Sequence, residues 1–158
     1  MPQWLVKPAN QVVCAGDPLK SEYEIGANAT AAKMLPGRVV IHDDADGTVK
    51  EAGAKAHGVV GFLDVAPDKL EATNYAVGEQ AMVIKGECIA KLTLLASENV
   101  TRGDRLVTAA DGKLAKQAVG AMGAQGDVVG NAEESSNVTV DAEILVHWRP
   151  SAEPAAAS

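Results

Sequence analysis

The sequence predicts an all-β protein, with a compact β-barrel or β-tulip-like body that is built from two similar β-hairpin modules. One phrase of turns and apolar strands occurs twice, and the chain closes with a stretch that alternates strictly between apolar and polar residues. The composition agrees, because 15 glycines and many small or β-branched apolar residues suit closely packed sheets. One hairpin module cannot bury its apolar face alone, whereas two packed modules can.

The repeated phrase consists of a turn, an apolar strand, an Asp-Gly turn, a strand, a spacer and a short strand. The first copy covers residues 36–41, 46–52 and 58–61, and the second covers residues 102–108, 111–116 and 127–130. An Asp-Gly pair between apolar runs is a strong hairpin signal. Each copy therefore predicts a hairpin and a third strand, and two more strands are expected between the copies, at residues 81–84 and 88–95.

The last part of the chain predicts the longest strand. Alternate positions place these apolar side chains on one face: Val138, Val140, Ala142, Ile144, Val146 and Trp148. Leu145 is the one apolar residue among the polar side chains of the opposite face. Such alternation indicates a half-buried strand, with Trp148 in the core rather than at an interface.

Composition divides the chain into three segments. Residues 1–35 are expected to form an extended N-terminal arm and an irregular segment, and residues 36–149 the barrel-like body. Residues 150–158 contain Pro, Ala and Ser with one Glu and predict a flexible tail. One or two short helices are the most that we expect, and the best candidate is capped by Asn28 and ends before Pro36.

The formal net charge of −7 argues against sequence-independent binding to nucleic acid, because an acidic surface repels phosphate groups. No apolar run approaches the ~20 residues of a membrane span, so we expect no membrane partner. Residues 1–4 lack the basic and then apolar layout of a signal peptide. The sequence therefore predicts a protein that is made in a cytoplasm.

The most metal-like segment contains Asp43, Asp44 and Asp46, followed by Gly47. Carboxylates at alternate positions resemble the start of a calcium loop, but Gly53 stands where the bidentate glutamate would be needed. Asp and Gly are also the commonest turn residues, so a solvated hairpin turn is the favoured interpretation. A similar explanation holds for the adhesion-type tripeptide at residues 102–104, which opens the second module as a turn.

Motifs for catalysis are missing from the sequence. No Gly-x-Ser-x-Gly elbow or phosphate-binding loop occurs, and no two of His42, His57 and His147 have the spacing of a helical zinc pair. Cys14 and Cys88 are expected to be reduced, buried thiols, and a single disulfide is the alternative. We therefore assign no catalytic, cofactor-binding or metal-binding residue and expect that the chain is not an enzyme.

The apolar residues Trp4, Leu5 and Val6 lie close to the N-terminus. They either dock on their own domain or form an arm that reaches a neighbouring subunit, because tryptophan is enriched at interface centres and extended segments can add to a sheet edge. These three residues are the partner-binding site that the sequence predicts.

Residues 98–114, 128–134 and 143–146 together resemble small capsid decoration (cement) proteins of tailed bacteriophages and related viruses. The resemblance rests on the order of a Gly-Asp turn, a strand, an Asp-Gly-Lys turn, a second strand, a Val-Gly-x-Ala strand and a closing strand. Residues 36–40 look like the first module of those proteins. The resemblance covers roughly residues 36–148.

The resemblance implies a β-barrel or β-tulip-like body on the outer surface of an assembled viral head, where it would stabilise the lattice against internal pressure. Its partners would be the major capsid protein and two further copies of itself in a homotrimer. No active site or cofactor comes with this family, whose working surface is a contact surface. The apolar arm at residues 4–6 would be a cheap way to make such contacts.

Two alternatives stay open. One is a head-fibre or receptor-binding virion component, which the tail and the turn at residues 102–104 would suit. The other is a β-barrel small-molecule binder or enzyme, which would need a convergent polar cluster, such as Asp43, Asp44 and Asp46 with a histidine around one ion.

Overall fold

Strands make up nearly all the regular structure of the described residues. The computed structural model describes Lys7 and residues 11–66, 69–70, 73–118 and 126–150. The strands in chain order are β1 (Val13–Ala15), β2 (Lys20–Ile25), β3 (Val39–His42), β4 (Thr48–Glu51), β5 (Val59–Leu63), β6 (Gln80–Ile84), β7 (Cys88–Leu94), β8 (Asn99–Val100), β9 (Arg105–Thr108), β10 (Leu114–Lys116), β11 (Gly130–Ala132), β12 (Ser136–Asn137) and β13 (Ala142–Trp148).

Helical structure is limited to two 3-10 turns, Ala31–Lys33 and Ala110–Gly112, in the described residues. No helix in this part of the chain is long and apolar enough to cross a membrane.

The first barrel closes in the order β2-β4-β3-β5-β6, with β6 pairing back onto β2. The pair β2–β4 is parallel and the other pairs are antiparallel. The middle strand β3 lies between the hairpin partner β4 and the third strand β5. This arrangement is the hairpin with a third strand that the first copy of the phrase predicts.

The second barrel repeats this order with β7-β10-β9-β11-β13, and β13 closes it by pairing with β7 along the whole of both strands. The pair β7–β10 is parallel, like its counterpart in the first barrel. Strand β1 adds to the outside of this ring along β7, and β8 pairs with β12 in a separate two-stranded ribbon. The prediction of an all-β chain with a compact β-barrel body is confirmed, and the body consists of two closed barrels.

The two barrels also agree in register. The parallel pair joins Ile25 to Val49 in the first barrel and Leu94 to Leu114 in the second. The pair between the middle and third strands joins Val40 to Gly61 and Leu106 to Gly130. The duplication therefore includes all five strands of each barrel, and the repeated phrase in the sequence is its central part.

A glycine on the third strand is required at the same place in both barrels. A Cβ atom at Gly61 would lie 2.2 Å from the carbonyl oxygen of Ile84, and one at Gly130 would lie 2.1 Å from that of His147. Both distances are far below van der Waals contact, so the neighbouring last strand can approach only where no side chain is present. Both copies of the phrase therefore end in glycine for the same steric reason.

Two apolar clusters form the core. The first barrel contains one of them, with Ile25, Val40, Val49 and Val83 at its centre. The other cluster fills the second barrel and extends onto the outer face of the first. Its members from the first barrel are Val39, Ala52, Phe62 and Ile84, and those from the second include Leu92, Leu94, Leu106, Leu114, Ile144, Val146 and Trp148. Trp148 is fully buried, as predicted.

The closing strand is shorter than the sequence predicts. It begins at Ala142, and Val138 and Val140 lie outside it with 43% and 66% of their surface exposed. The expectation that these two valines share the buried face is wrong. Its physical reason is the end of β7 at Leu94, which pairs with Ala142 and leaves no strand to pair with the residues before it.

The helix predicted from Asn28 is also wrong. Only the single turn at Ala31–Lys33 forms, and the residue before it, Thr30, makes no capping hydrogen bond with its side chain. The Asn28 side chain instead donates to the carboxylates of Asp43 and Asp44, at 2.8 and 3.0 Å. An Asn that bonds to a neighbouring loop is not available as a helix cap.

The segment before residue 36 contains regular structure where an irregular chain was expected. Strand β2 lies there and supplies the wall that closes the first barrel, and β1 lies there against the second barrel. The predicted tail at residues 150–158 falls, except for Pro150, outside the described residues.

Candidate functional site

The two barrels meet in a junction that is part of the larger apolar cluster. Phe62 from the first barrel meets Trp148, the last residue of β13, edge to face with ring centroids 4.9 Å apart. Val39 and Ile84 belong to the same buried cluster. Aromatic pairs in this geometry add to the free energy of burial. The side chains at the junction are therefore part of the hydrophobic core.

Backbone hydrogen bonds join the barrels beside this apolar contact. The amide of Lys55 donates to the carbonyl of Thr108 at 2.8 Å, and the amide of Gly112 donates to the carbonyl of Ala52 at 2.8 Å. The Thr108 hydroxyl oxygen accepts from the amide of Ala56 at 2.8 Å. The spacer of the first module is thus held by the hairpin of the second.

Asp127 secures the same spacer through its buried carboxylate. One oxygen accepts from the amide of Gly58 at 2.8 Å, and the other lies 3.1 Å from Nδ1 of His57. Asp127 is 5% exposed, so both contacts satisfy a carboxylate that would otherwise be costly to bury. His57 keeps half of its side chain in solvent.

A line of charges crosses the junction on one side. Lys33 pairs with Asp111 at 2.7 Å, and Lys113 pairs with Asp141 at 2.7 Å. Arg38 lies between them and donates to the carbonyl of Asp111 at 2.9 Å. The ammonium groups hold the pKa values of Asp111 and Asp141 below the usual range, chiefly through hydrogen bonds from Lys33 and Lys113. Burial lowers the pKa of Arg38.

The acidic segment around Asp43 is a hairpin loop between β3 and β4. Asp43 accepts from the amide of Asn28 at 2.9 Å and from its side chain, and these bonds lower the pKa of the Asp43 carboxyl. A side-chain NH2 group thus points at Asp43 and Asp44, where a cation would need free oxygens. No group of three or more potential metal ligands occurs within the described residues.

The tripeptide at residues 102–104 is also a turn. Gly103 has a φ of +96°, and Gly37 at the equivalent position has a φ of +84°. The Asp104 carboxylate accepts from the amide of Thr101 at 2.8 Å and lies 3.4 Å from Lys116. This carboxylate therefore holds the turn together.

The cysteines lie on neighbouring strands without a disulfide. Cys88 is buried, and burial raises the pKa of its thiol to about 12. Cys14 is half-buried, and its sulfur lies 3.6 Å from the carbonyl oxygen of Val12. A thiol with so high a pKa is almost entirely protonated at neutral pH and is a poor nucleophile.

Two open grooves of about 410 Å3 each lie in the described surface. Lys20 and Lys69 line the first groove and pair with Asp64 and Glu79. Glu51 lines the second groove and accepts from the amide of Thr30 at 2.9 Å. The charged groups named here are engaged with the protein itself and do not converge on one point.

The predicted docking residues Trp4, Leu5 and Val6 lie outside the described residues, so their role stays a prediction. Lys7, the next residue, is described. Its ammonium group lies 2.7 Å from a carboxylate oxygen of Glu134 and 3.4 Å from the carbonyl oxygen of Glu143, both in the second barrel of the same chain.

Exposed apolar side chains are the remaining candidates for contact with a partner. Six large ones stand out in the described part of the chain: Leu19, Leu70, Val77, Met82, Val138 and Val140. The sequence analysis did not single out this group, and it placed Val138 and Val140 in the core. Their position before a shortened strand could be found only from the length of the partner strand β7.

Comparisons with known proteins give matches among solved structures. No protein-family model and no curated protein matches the chain. Among solved structures, the chain is similar to the N base of the head fibre gp8.5 of bacteriophage phi29, with a TM-score of 0.50 and 14% sequence identity. The likeness covers 89% of this chain and 99% of that one. At this identity it is a likeness of fold, and it extends over both barrels.

Proposed function

We propose that the chain is a non-enzymatic structural component of a phage head, which binds the outer surface of the assembled shell. The observation that carries this proposal is the fold likeness to a phage head-fibre base, which includes nearly all of both chains. The order of motifs that resembles decoration proteins supports the same class independently, because it depends on the sequence and not on the fold.

More specifically, we propose that the chain is a decoration protein that stabilises the shell. A protein that binds the expanded lattice better than its separate subunits shifts the equilibrium towards the lattice by mass action. Many copies with modest individual affinity then add up to a large effect. A homotrimer whose subunits each contact the major capsid protein would suit this role.

The second candidate is the base of a head fibre, and the likeness to the phi29 protein favours it directly. A fibre base must bind the shell and present a further segment outwards. It need not stabilise the lattice. The two candidates therefore share the binding step and differ in what binding does to the shell.

Co-sedimentation tests the shared step. Purified protein is mixed with empty, expanded heads assembled from the major capsid protein that is encoded in the same genome, and the heads are pelleted. We expect saturable binding with a fixed number of copies per head. If intact heads pellet without the protein at micromolar concentrations, the proposal is wrong.

Heat treatment of the saturated heads separates the two candidates. A decoration protein raises the temperature at which the heads break, whereas a fibre base leaves it unchanged. Sedimentation of the free protein tests the proposed homotrimer, since a monomer at high concentration would contradict it.

A further inference from the structure

Two of the exposed apolar residues occupy the same place in the two barrels. Val77 is 48% exposed and Val140 is 66% exposed. Each lies in the loop that joins two neighbouring antiparallel strands, shortly before the last strand of its barrel, β6 or β13. Large apolar side chains exposed singly are common, so the position rather than the exposure is informative.

The register of the barrels establishes the equivalence. Val83 pairs with Leu63 in the first barrel, as Val146 pairs with Ala132 in the second. Counting back from Val83 and Val146 by the same number of residues leads to Val77 and Val140. The duplicated barrels thus expose the same residue type at the same point.

Two other exposed apolar residues behave differently, namely Met82 on β6 and Leu19 directly before β2. By the same register, Met82 corresponds to Leu145, which is fully buried, and Leu19 corresponds to the buried Cys88. Outer positions on the barrel walls have also diverged, as in the replacement of Phe62 by Asn131. An exposed valine at the same point of both barrels stands out against this divergence.

We propose that Val77 and Val140 are two equivalent contact points, and that each docks on the same surface of one of two neighbouring copies of the shell protein. The inference rests on the proposed function and names its binding surface. A duplicated contact fits a partner that presents one surface repeatedly, and a capsid lattice is such a partner. Two linked contacts raise the apparent affinity by about 10²–10⁴-fold over one.

The test compares four variants on two probes. Val77→Asp, Val140→Asp and the double variant place a charge in each proposed contact, and Leu19→Asp is the control, because Leu19 is 68% exposed and has no exposed counterpart. The probes are the empty expanded heads described above and the same capsid protein in unassembled form.

Each single variant should bind the heads roughly 100-fold more weakly than the wild type, because one of two linked contacts is lost. The same variants should bind unassembled capsid protein within about twofold of the wild type, because one contact suffices there. The double variant should lose binding to both probes, and Leu19→Asp should bind as the wild type does.

Two results would overturn the inference while the proposed function stands. One is that the single variants bind the heads as tightly as Leu19→Asp does. The other is that one variant alone abolishes binding to both probes, since the contact would then be single. If the wild type itself does not bind the heads, the proposed function fails first. Val77→Ser and Val140→Ser replace any Asp variant whose melting temperature falls.

Discussion

The two barrels have the same strand order and register, but their outer faces differ. The difference is clear at three equivalent outer positions. The first barrel has Val39, Phe62 and Ile84 there, and the second barrel has Arg105, Asn131 and His147. The apolar set is buried against the second barrel. The polar set is at least partly exposed, and His147 pairs with Glu87 at 2.6 Å.

This difference makes the contact between the barrels asymmetric. The first barrel docks an outer face on the second, so the contact uses different surfaces on its two sides. A contact of that kind can be repeated indefinitely if every copy carries both surfaces. Polar side chains occupy the equivalent positions of the second barrel, so that face offers no matching apolar surface.

The largest expected effect comes from breaking the junction at its centre. Phe62→Ala should lower the free energy of unfolding by about 3–5 kcal/mol, because a fully buried ring is removed and a cavity remains. Asn131→Ala, at the equivalent position, should cost about 1 kcal/mol, the value of its hydrogen bond to the carbonyl of Gly103. Urea unfolding of both variants measures the difference, and equal costs would contradict the account of the two faces.

Substitution of the equivalent third-strand glycines tests the shared register of the two barrels. Gly61→Ala and Gly130→Ala should each cost about 2–3 kcal/mol, because the new Cβ would force the last strand away from the third. Gly53→Ala is the matched control, since a Cβ there meets nothing within 4 Å, and it should stay within about 0.5 kcal/mol of the wild type. A large cost at only one of the two barrel positions would show that the barrels are not equivalent.

Arg38 and Asp104 follow the equivalent glycines Gly37 and Gly103 but act differently. Arg38→Met removes a charged hydrogen bond across the junction and should cost about 2 kcal/mol. Asp104→Ala removes a local bond from the Thr101 amide to a carboxylate, and because that bond is exposed to water its loss should cost only about 1 kcal/mol. Calorimetric melting checks both, and a larger cost for Asp104→Ala would reverse the proposed roles.

The smallest effect concerns acid stability. The pKa values of Asp111 and Asp141 are lowered by folding from a starting value of 3.8, so the unfolded chain binds more protons in acid. The stability from these pairs is present above about pH 4 and is lost as the pH falls through the lower pKa values of the folded protein.

Asp141→Asn should therefore lower the melting temperature at pH 7 by only a few degrees, because exposed pairs contribute under about 1 kcal/mol. It should also reduce the dependence of the melting temperature on pH below pH 4. The control is Asp46→Asn in the exposed β3–β4 loop. An unchanged pH dependence in Asp141→Asn would contradict the assignment.

The sequence predicted the hairpins because their signals are local. Asp-Gly turns and valine runs lie within a few residues of each other, and they mark the central strands of both barrels. Strand β2 was missed because only Tyr23 and Ile25 in it are apolar, although charged residues alternate with Ser21, Tyr23 and Ile25 along it.

Long-range features could not be predicted from such signals. The approach of Ile84 to Gly61 depends on a strand that is distant in sequence, and so does the exposure of Val140, which follows from the end of β7. The apolar outer face of the first barrel likewise has a meaning only when the second barrel is placed against it. The equivalence of Val77 and Val140 also depends on the register of both barrels, which the sequence alone does not give.

A cryo-EM reconstruction of empty expanded heads saturated with the protein tests the central claim most directly. The account predicts density for two adjacent barrels on the outer surface, with the ends that carry Val77 and Val140 against two neighbouring shell subunits. Heads without added density, or barrels attached through a different surface, would contradict it.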